Sequence, residues 1–264
     1  MIRLNDIHVR FNQGTAIETH ALRGLSLEIP IGQFVTVIGS NGSGKSTMLN
    51  AVSGEIIPMQ GNIFIGDDEV TAWPPARRAR VVARVFQDPM AGTCEALSIE
   101  ENLALAQTRG EQRRLRAAIG ESLRDRFRER LAILGLGLEN RLEDAMGLLS
   151  GGQRQAVSLV MATLNPLKIL LLDEHSAALD PKTAAFVLEL TDRFVGEGQL
   201  TTLMVTHSMA QALDHGQRTV MLHEGKVILD VHGEQRRGLK VEDLLQMFEK
   251  VRGERVTDDA LLLG

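Results

Sequence analysis

The stretch GSNGSGKST at residues 39–47 constrains the fold of this chain more than any other feature of its sequence. It matches the pattern G-x-x-x-x-G-K-[ST] through Gly39, Gly44, Lys45 and Ser46. An apolar, β-branched run precedes it and a helix-like segment follows, which is the context that a phosphate-binding loop requires. Glycines let backbone N–H groups curl around phosphate oxygens, and the start of the helix adds partial positive charge. The remaining loop positions are Ser40, Asn41, Gly42, Ser43 and Thr47.

A leucine-rich run that ends in two acids, ILLLDE at residues 169–174, complements this loop. A buried strand there would place Asp173 and Glu174 at its carboxyl end, where ligands bind in open α/β sheets. We expect Asp173 to hold Mg²⁺, directly or through water, and Glu174 to polarise the attacking water as general base. Lys45 is expected to reach the β- and γ-phosphates, and the Ser46 hydroxyl to coordinate the Mg²⁺. Together the two motifs predict hydrolysis of a nucleoside triphosphate.

Composition limits the classes of function that such a chain can have. The 264 residues are 44% hydrophobic, which suffices for a sizeable core in one large domain or two small ones. The net charge of −5 argues against bulk electrostatic binding of nucleic acid, although a local basic patch stays open. The one cysteine, Cys94, excludes an intrachain disulfide. We expect neither a signal peptide nor a membrane span, since no stretch approaches roughly 18 apolar residues, and any membrane role must come through a partner.

Strand-like and helix-like segments alternate at both ends of the chain, whereas alanine, leucine, glutamate and arginine dominate residues 98–165. This pattern favours an α/β sheet core with an inserted helical subdomain. We expect the core to comprise residues 1–90 and 166–231, and the helical subdomain to comprise residues 91–165. Residues 232–264 are expected to form a packed C-terminal helix and tail, although a regulatory or dimer contact is an alternative.

The stretch LSGGQ places a serine and two glycines where a helix is predicted to begin, which favours a second anion cradle. Preceded by the phosphate loop and followed by the acid-ended strand, it resembles the signature of ABC-type ATPases. The residues of this signature are Leu149, Ser150, Gly151, Gly152 and Gln153. The resemblance covers nearly the whole chain and implies a single ABC ATPase domain. That domain would be a P-loop NTPase core with an ABC-type antiparallel β subdomain and an inserted helical subdomain.

The same resemblance implies that ATP lies between two chains. In that family the signature of one subunit caps the γ-phosphate of ATP held by the phosphate loop of the other, in a head-to-tail dimer with two-fold symmetry. An N-capped helix with a flexible turn is the alternative interpretation of the signature. The partner chain would be a second copy of this chain or a similar ATPase.

Other motifs of the family occur in order along the chain. Gln87 in VFQDP resembles the glutamine that senses Mg²⁺ and the attacking water, and Asp180 in SAALD resembles the key acid of the loop that crosses the dimer interface. His207 in MVTHS resembles the histidine that contacts the γ-phosphate, with a structural histidine as the alternative. Phe11 occupies the place of the aromatic residue that stacks on adenine, with a core phenylalanine as the alternative.

Two positions depart from the family pattern, and at one of them, Phe11, phenylalanine replaces the usual tyrosine and only a hydroxyl is lost. The family commonly has proline after the catalytic glutamate, whereas this chain has His175. Loss of proline frees the backbone φ angle and adds a donor beside the site. His175 would either tune hydrolysis or coupling or merely fill space, and we favour the space-filling role.

Two segments are candidates for contact with a membrane partner. The arginine-rich residues 108–137 are interleaved with acids, which is typical of a solvated, salt-bridged helical face, with a permease or headgroup contact as the alternative. Residues 87–102 are the preferred permease contact, because a mobile joint there could pass ATP-driven closure to the permease.

The resemblance implies an ATP-binding and hydrolysing subunit that energises a membrane ABC transporter. A separate subunit with one phosphate loop is typical of bacterial importers, and residues 148–184 resemble a subgroup paired with periplasmic lipoprotein-like binding proteins. Some members of that subgroup are linked to aromatic amino-acid uptake. We therefore expect a peripheral subunit on the cytoplasmic face of the inner membrane, bound to permease subunits and indirectly served by an extracytoplasmic binding protein.

Three alternatives stay open at this point: an exporter ATPase, a soluble ABC-type ATPase that acts on nucleic acid or ribosomes, and a regulatory binder without turnover. The sequence has neither the long heptad insertions nor the second ATPase unit of the nucleic-acid and ribosome classes, so no nucleic-acid partner is expected. Glu174 and His207 argue against a mere binder, which would not need a base.

Overall fold

A computed structural model describes residues 1–110 and 119–252 of the chain, with the side chains of residues 251 and 252 left undescribed. The chain divides into two compact units. The first unit comprises Met1–Arg78 and Gln199–Gly264, and the second comprises Ala79–Gly198. The finer division expected at residues 91 and 165 stays a prediction.

The secondary structure alternates between strands and helices along most of the chain. In chain order the strands are β1 (Ile2–Phe11), β2 (Thr19–Ile29), β3 (Phe34–Ile38), β4 (Gln60–Ile65), β5 (Asp68–Glu69), β6 (Val82–Val85), β7 (Ile169–Asp173), β8 (Thr201–Val205), β9 (Arg218–His223) and β10 (Lys226–His232). The α-helices are α1 (Lys45–Ser53), α2 (Pro75–Arg78), α3 (Ile99–Gln107), α4 (Glu121–Ala132), α5 (Gly151–Thr163), α6 (Pro181–Gly198), α7 (Met209–Asp214) and α8 (Val241–Arg252). Short 3₁₀ turns occupy Leu138–Asn140, Met146–Leu148 and Gly233–Gln235.

The first unit contains the antiparallel sheet that the resemblance implied. Its strand order is β2-β1-β4-β5. Strand β1 alternates buried and exposed residues, as its sequence predicts, and its Ile2 pairs with Ile29 on one side and Ile65 on the other. These three isoleucines are buried, so one face of the sheet forms part of the core.

A parallel ladder in the same unit carries the phosphate loop. Strand β3 pairs in parallel with β8 on one side and with β9 on the other, and β9 pairs with β10 as the antiparallel hairpin that Glu224-Gly225 predicts. All five residues of β3 are buried, which explains why four of them are apolar and why the hydroxyl of the fifth, Thr36, donates to the carbonyl oxygen of Ala212. The predicted strand, loop and helix are therefore confirmed, and α1 ends at Gly54 in the left-handed conformation, with a φ of 84°.

Arg78 fixes the far end of α1 and was not singled out in the sequence. It is fully buried, and its guanidinium donates to the carbonyl oxygens of Ala51 and Val52 in the last turn of α1 and to that of Val70. A cation at a helix C-terminus interacts favourably with the helix dipole. Burial lowers the pKa of Arg78 to about 10, so the side chain stays charged at neutral pH.

The second unit joins a pair of parallel strands to the predicted helical section. Strand β6 pairs in parallel with β7, and all of β7 except Asp173 is buried. Helix α4 carries the salt-bridged face expected of the arginine-rich segment, with Arg128 contacting Glu121 and Asp125. Residues 111–118 of that segment lie outside the described residues.

Helix α8 confirms the packed helix expected near the C-terminus. Leu244 and Phe248 are buried in a cluster with Ile38, Met209 and Met221. The part of the predicted tail at residues 253–264 lies outside the described residues. None of the helices in the described ranges is long and apolar enough to span a membrane.

Candidate nucleotide site

The phosphate loop, residues 39–47, needs glycine at two positions because other backbone comes very close. A Cβ atom on Gly39 would lie 2.2 Å from the carbonyl oxygen of Leu222, and one on Gly44 would lie 2.8 Å from that of Ala21. Both glycines also have positive φ angles, 150° and 105°. Substitution at either position would therefore displace the loop from the neighbouring strands.

The mouth of the loop is open and lacks a side-chain cap. A Cβ atom on Gly42 would meet nothing within 4 Å, so this glycine is required by its φ of 75° and not by crowding. Gly44 is the N-cap residue of α1, and no side chain accepts a hydrogen bond from the first turn of this helix. The N–H groups of that turn can therefore donate to a bound anion.

Lys45 and Ser43 place polar groups inside the loop. Lys45 is 5% exposed, and its Nζ donates to the carbonyl oxygens of Gly39 at 2.7 Å and Ser40 at 3.1 Å. The Oγ atom of Ser43 is buried and, within the described part of the chain, has no hydrogen-bond partner. A buried ammonium, an uncapped helix start and an orphaned hydroxyl together fit a phosphate group. Ser46 and Asn41 are exposed, and Thr47 is half-buried.

The first unit also carries His207 and Phe11. His207 follows β8 and is half-buried, and the neighbouring Thr206 donates to the side chain of Gln211 at 2.7 Å. Ser208 caps α7, so hydrogen bonds hold the chain on both sides of His207.

Phe11 is 39% exposed at the end of β1, so the core-phenylalanine alternative is wrong. Its stacking on adenine stays a prediction.

In the second unit Asp173 has a partner that the sequence analysis missed. Its Oδ2 atom accepts a hydrogen bond from Nη2 of Arg84 at 2.5 Å, and the two side chains are only 14% and 11% exposed. Arg84 also lies over the ring of Phe86. The signal was an arginine inside the apolar strand VARV, where a charge requires a partner. A cation that binds Asp173 must therefore share the carboxylate with this guanidinium or displace the guanidinium from it.

Glu174 follows Asp173 in a rare backbone conformation. Its φ is 48°, in the left-handed region, which costs a non-glycine residue about 1–3 kcal/mol. The side chain is only 8% exposed. The N–H of Ala177 donates to the carbonyl oxygen of Glu174 at 2.9 Å and closes a turn over residues 174–177. Such strain is found where surrounding structure fixes a functional side chain.

His175 is buried, as the favoured space-filling interpretation requires, but it is also hydrogen-bonded. It is 2% exposed, and its Nε2 lies 2.8 Å from Oγ1 of Thr191 in α6. Neither residue type alone predicts this contact, because Thr191 lies 16 positions further along the chain.

The signature begins α5 and caps it with its own side chains. Ser150 accepts from the N–H of Gln153, and the Gln153 side chain accepts from the N–H of Ser150. The N-capped-helix interpretation is thus correct for the isolated chain. Ser150 and Gly151 are nevertheless exposed and face outward from the described residues of this unit, as an anion cradle requires.

The two signature glycines also serve packing within the unit, which the anion-cradle interpretation overlooked. A Cβ atom on Gly152 would lie 2.0 Å from Cγ2 of Thr183, and one on Gly151 would lie 3.3 Å from Cδ2 of Leu179. These contacts bring the signature next to the SAALD loop and the start of α6. Both motifs are predictable from the sequence, but their contact is not.

We expect Gly152→Ala to lower the free energy of unfolding by about 1–3 kcal/mol, because the new methyl group overpacks against Thr183. Chemical denaturation measures the effect, and Thr183→Ser, which removes Cγ2, should relieve it. Gly196→Ala in α6 is the matched control, since nothing lies within 4 Å of its Cβ position. A Gly152→Ala protein as stable as the Gly196→Ala protein would contradict this prediction.

Gln87 and Asp180 are both exposed residues of the second unit, and each lies next to a strand or a helix. Gln87 follows β6, where the neighbouring Phe86 carbonyl accepts from the Gln155 side chain at 2.9 Å. Asp180 precedes α6, and its Oδ1 accepts from the N–H of Thr183 at 3.2 Å. Hydrogen bonds from the side chain and backbone of Thr183 lower the pKa of Asp180, so it is a carboxylate at neutral pH.

The two units thus carry separate groups of predicted site residues. The first unit contains the phosphate loop, His207 and Phe11, and the second contains the signature, Gln87 and residues 173–180. Each motif lies at the end of a strand or the start of a helix, as predicted. The roles of the individual side chains toward nucleotide and metal stay predictions.

Comparisons with known proteins agree with these motifs. A family model described as ABC transporter matches residues 22–177. The tyrosine transport ATP-binding protein of Clostridioides difficile (strain R20291) is 42% identical over 249 residues, which cover 94% of this chain and 99% of that protein. The thiamine import ATP-binding protein ThiQ of Yersinia pseudotuberculosis serotype I (strain IP32953) is 34% identical, over 82% of this chain and 86% of its own length.

Solved structures show the same fold. The dimeric, post-hydrolysis structure of an ATP-binding cassette bound to ADP and Pi superposes with a TM-score of 0.76 at 30% identity, covering 90% of this chain and 100% of that one. A second cassette, in its ADP conformation, has a TM-score of 0.78 at 24% identity and covers 96% of this chain and 99% of its own. The predicted fold class is therefore confirmed, and the chain belongs to the ABC transporter family as an ATP-binding and ATP-hydrolysing subunit.

Proposed function

We propose that this chain is the ATPase subunit of a bacterial importer for an aromatic amino acid, with tyrosine as the first candidate. The observation that carries this proposal is the 42% identity to a tyrosine transport ATP-binding protein across 94% of the chain. An ATPase subunit does not itself contact the transported solute, so the solute class comes from this similarity and not from a side chain. Thiamine is the second candidate, because several relatives at 32–34% identity are thiamine import ATP-binding proteins.

In the proposed reaction the phosphate loop binds the triphosphate of ATP. The first-turn N–H groups of α1 donate to phosphate oxygens, and the Lys45 ammonium turns from the carbonyl oxygens of Gly39 and Ser40 toward the β- and γ-phosphates. His207 contacts the γ-phosphate. Phe11, exposed at the end of β1, offers a ring face on which adenine stacks.

Hydrolysis requires a base and stabilised charge. Glu174 orients the attacking water and accepts its proton, and Gln87 senses the same water. Glu174 suits this role because its backbone is held in a conformation that the residue would not adopt alone. Lys45 and His207 stabilise the charge that develops on the transferred phosphoryl group.

The proposed metal ligands are oxygen donors of the kind that Mg²⁺ prefers, namely the Ser46 hydroxyl, the Asp173 carboxylate and the Gln87 amide. When bound, Mg²⁺ would supply positive charge that offsets the charge of the triphosphate during phosphoryl transfer. Within residues 1–110 and 119–252 no group of three or more His, Cys, Asp or Glu side chains is placed to hold a metal ion. Asp173 is paired with Arg84, so a cation bound to Asp173 would share its carboxylate with that guanidinium.

We propose that two ATPase subunits, two copies of this chain or one copy and a similar ATPase, close on ATP. Ser150, Gly151, Gly152 and Gln153 of one subunit then cap the γ-phosphate bound to the other, and Asp180 contributes from the adjacent loop. Ser150 and Gly151 are exposed, and the relative with known dimeric structure carries ADP and Pi, which supports this arrangement. The self-capping bonds of Ser150 and Gln153 would exchange for bonds to phosphate.

The proposed partners place the subunit at the cytoplasmic face of the membrane, held there by the permease. Residues 87–102 are the proposed contact, and the exposed Met90 supports it, because exposed large apolar side chains are common at interaction surfaces. An extracytoplasmic binding protein would deliver solute to the permease and would not touch this chain.

Solute uptake tests the proposal in cells. We expect a strain that lacks this chain to lose uptake of labelled tyrosine, and re-expression of the wild type to restore it. Re-expression of Glu174→Gln should fail, because ATP turnover drives transport. Loss of thiamine uptake with unchanged tyrosine uptake would replace the first candidate by the second.

A further inference from the structure

The turn at residues 174–177 contains a buried, hydrogen-bonded histidine whose role the sequence motifs do not explain. Glu174 starts the turn with a φ of 48°, and His175 and Ser176 are its two central residues. His175 is more deeply buried than Glu174, with 2% of its surface exposed. A buried imidazole thus lies directly next to a strained glutamate.

The hydrogen bond between His175 and Thr191 joins the turn to a hydroxyl that also bonds within its own helix. Thr191 Oγ1 donates its hydrogen to the carbonyl oxygen of Val187 at 2.9 Å, within α6. When the hydroxyl hydrogen is directed at Val187, the same oxygen accepts from Nε2 of His175, 2.8 Å away, in the tautomer that carries its proton there.

This bond ties the turn to a rigid helix. Thr191 is 1% exposed in the middle of α6, an 18-residue helix. The first central position of such a turn requires a restricted φ, which proline fixes through its ring and other residues do not. In this chain the backbone at His175 is instead restrained through its side chain, because Nε2 of the imidazole is hydrogen-bonded to Thr191 of α6.

We propose that His175, held by Thr191, is a positioning residue that keeps Glu174 in the orientation required for attack of water on ATP. The proposal rests on the proposed function, in which Glu174 is the general base. Without the tether the turn can relax and Glu174 can leave its strained conformation. Nucleotide affinity should not change, because the phosphate loop belongs to another segment of the chain and uses none of these bonds.

The test compares variants that fill space with variants that keep the hydrogen bond. His175→Phe retains a ring without a donor, and Thr191→Val retains shape without a hydroxyl. His175→Gln and Thr191→Ser retain a donor and an acceptor, respectively. The steady-state ATPase of the purified full-length protein gives kcat and KM, and thermal unfolding of each variant gives the folded fraction used to normalise kcat.

We expect kcat to fall about tenfold or more in His175→Phe and in Thr191→Val, with the KM for ATP within about twofold of wild type. His175→Gln and Thr191→Ser should recover most of the rate. The double variant His175→Phe/Thr191→Val should be no slower than His175→Phe, because Thr191→Val then has no bond to His175 left to remove. Should His175→Phe fail to fold, Thr191→Val decides the question.

Three results would overturn the proposal: a wild-type kcat in both His175→Phe and Thr191→Val, a loss confined to KM, or multiplied losses in the double variant. Glu174→Gln is measured alongside. If it is inactive while His175→Phe and Thr191→Val are fully active, the positioning role alone is wrong. If Glu174→Gln hydrolyses ATP as fast as wild type, the base assignment is wrong and the positioning role falls with it.

Discussion

Glu174→Gln should bind ATP and fail to hydrolyse it. A positioned general base contributes about 10²- to 10⁴-fold to a rate, so kcat should fall by that factor. Glutamine has nearly the same shape and retains a polar group, so the turn at residues 174–177 should survive. The dissociation constant for ATP should stay near that of wild type, because the phosphate loop is unchanged.

The same variant should accumulate as a dimer in the presence of MgATP. If the signature of one subunit caps ATP bound to another, blocked hydrolysis leaves the closed dimer without a route to open. Light scattering should then give twice the 28.9 kDa monomer mass with MgATP and the monomer mass with MgADP. A heterodimer with a similar ATPase would instead require that partner to be added.

Glu189→Gln is the matched control, because Glu189 is exposed on α6 in the same unit. It makes the same change of charge and should hydrolyse ATP at the wild-type rate and stay monomeric. A Glu174→Gln protein whose kcat lies within tenfold of wild type would refute the assignment of the base.

The parts of the fold that the sequence predicts well are those encoded by local patterns. The apolar run of β3, the glycines after it and the start of α1 are contiguous, so one stretch defines strand, loop and helix. The leucines of β7 likewise place Asp173 at a strand end. The spacing of apolar residues and the local glycines are sufficient to predict these elements.

Strand β2 is not evident from the sequence, because its alternation of apolar and polar residues is interrupted. Its buried residues alternate from Leu25 to Ile29, but the preceding buried residue, Leu22, lies three positions before Leu25. Gly24 lies between them with a φ of 77°, and the register of β2 with β1 shifts between Leu4 and Ile7. A bulge of this kind breaks the two-residue period on which a sequence interpretation relies.

The contacts that refine the site were missed for a different reason. Arg84 with Asp173, His175 with Thr191 and Gly152 with Thr183 each join residues that are far apart along the chain. Single-sequence patterns report which residues are apolar or flexible, whereas these contacts depend on which elements pack together. The functional motifs were therefore predictable, and the side chains that hold them were not.

Lys45→Ala should lose most of its affinity for ATP even though the protein still folds. A hydrogen bond to a charged group contributes about 1.5–3 kcal/mol, which corresponds to roughly a 10- to 150-fold rise in the dissociation constant. The substitution also removes the donor to the carbonyl oxygens of Gly39 and Ser40, and the vacated space lets water reach them. Isothermal titration with MgATP measures the affinity, and thermal unfolding verifies the fold.

Lys226→Ala is the control that separates this local effect from a general loss of positive charge. Lys226 lies on β10 in the same unit and is exposed, and its removal changes the net charge equally while the backbone bond from the neighbouring Gly225 to Ser43 of the loop is kept. We expect it to bind MgATP as wild type does. Equal affinities in Lys45→Ala and Lys226→Ala would mean that the ammonium held inside the loop does not turn to the phosphates. Backbone N–H groups at the start of α1 would then have to supply the binding energy alone.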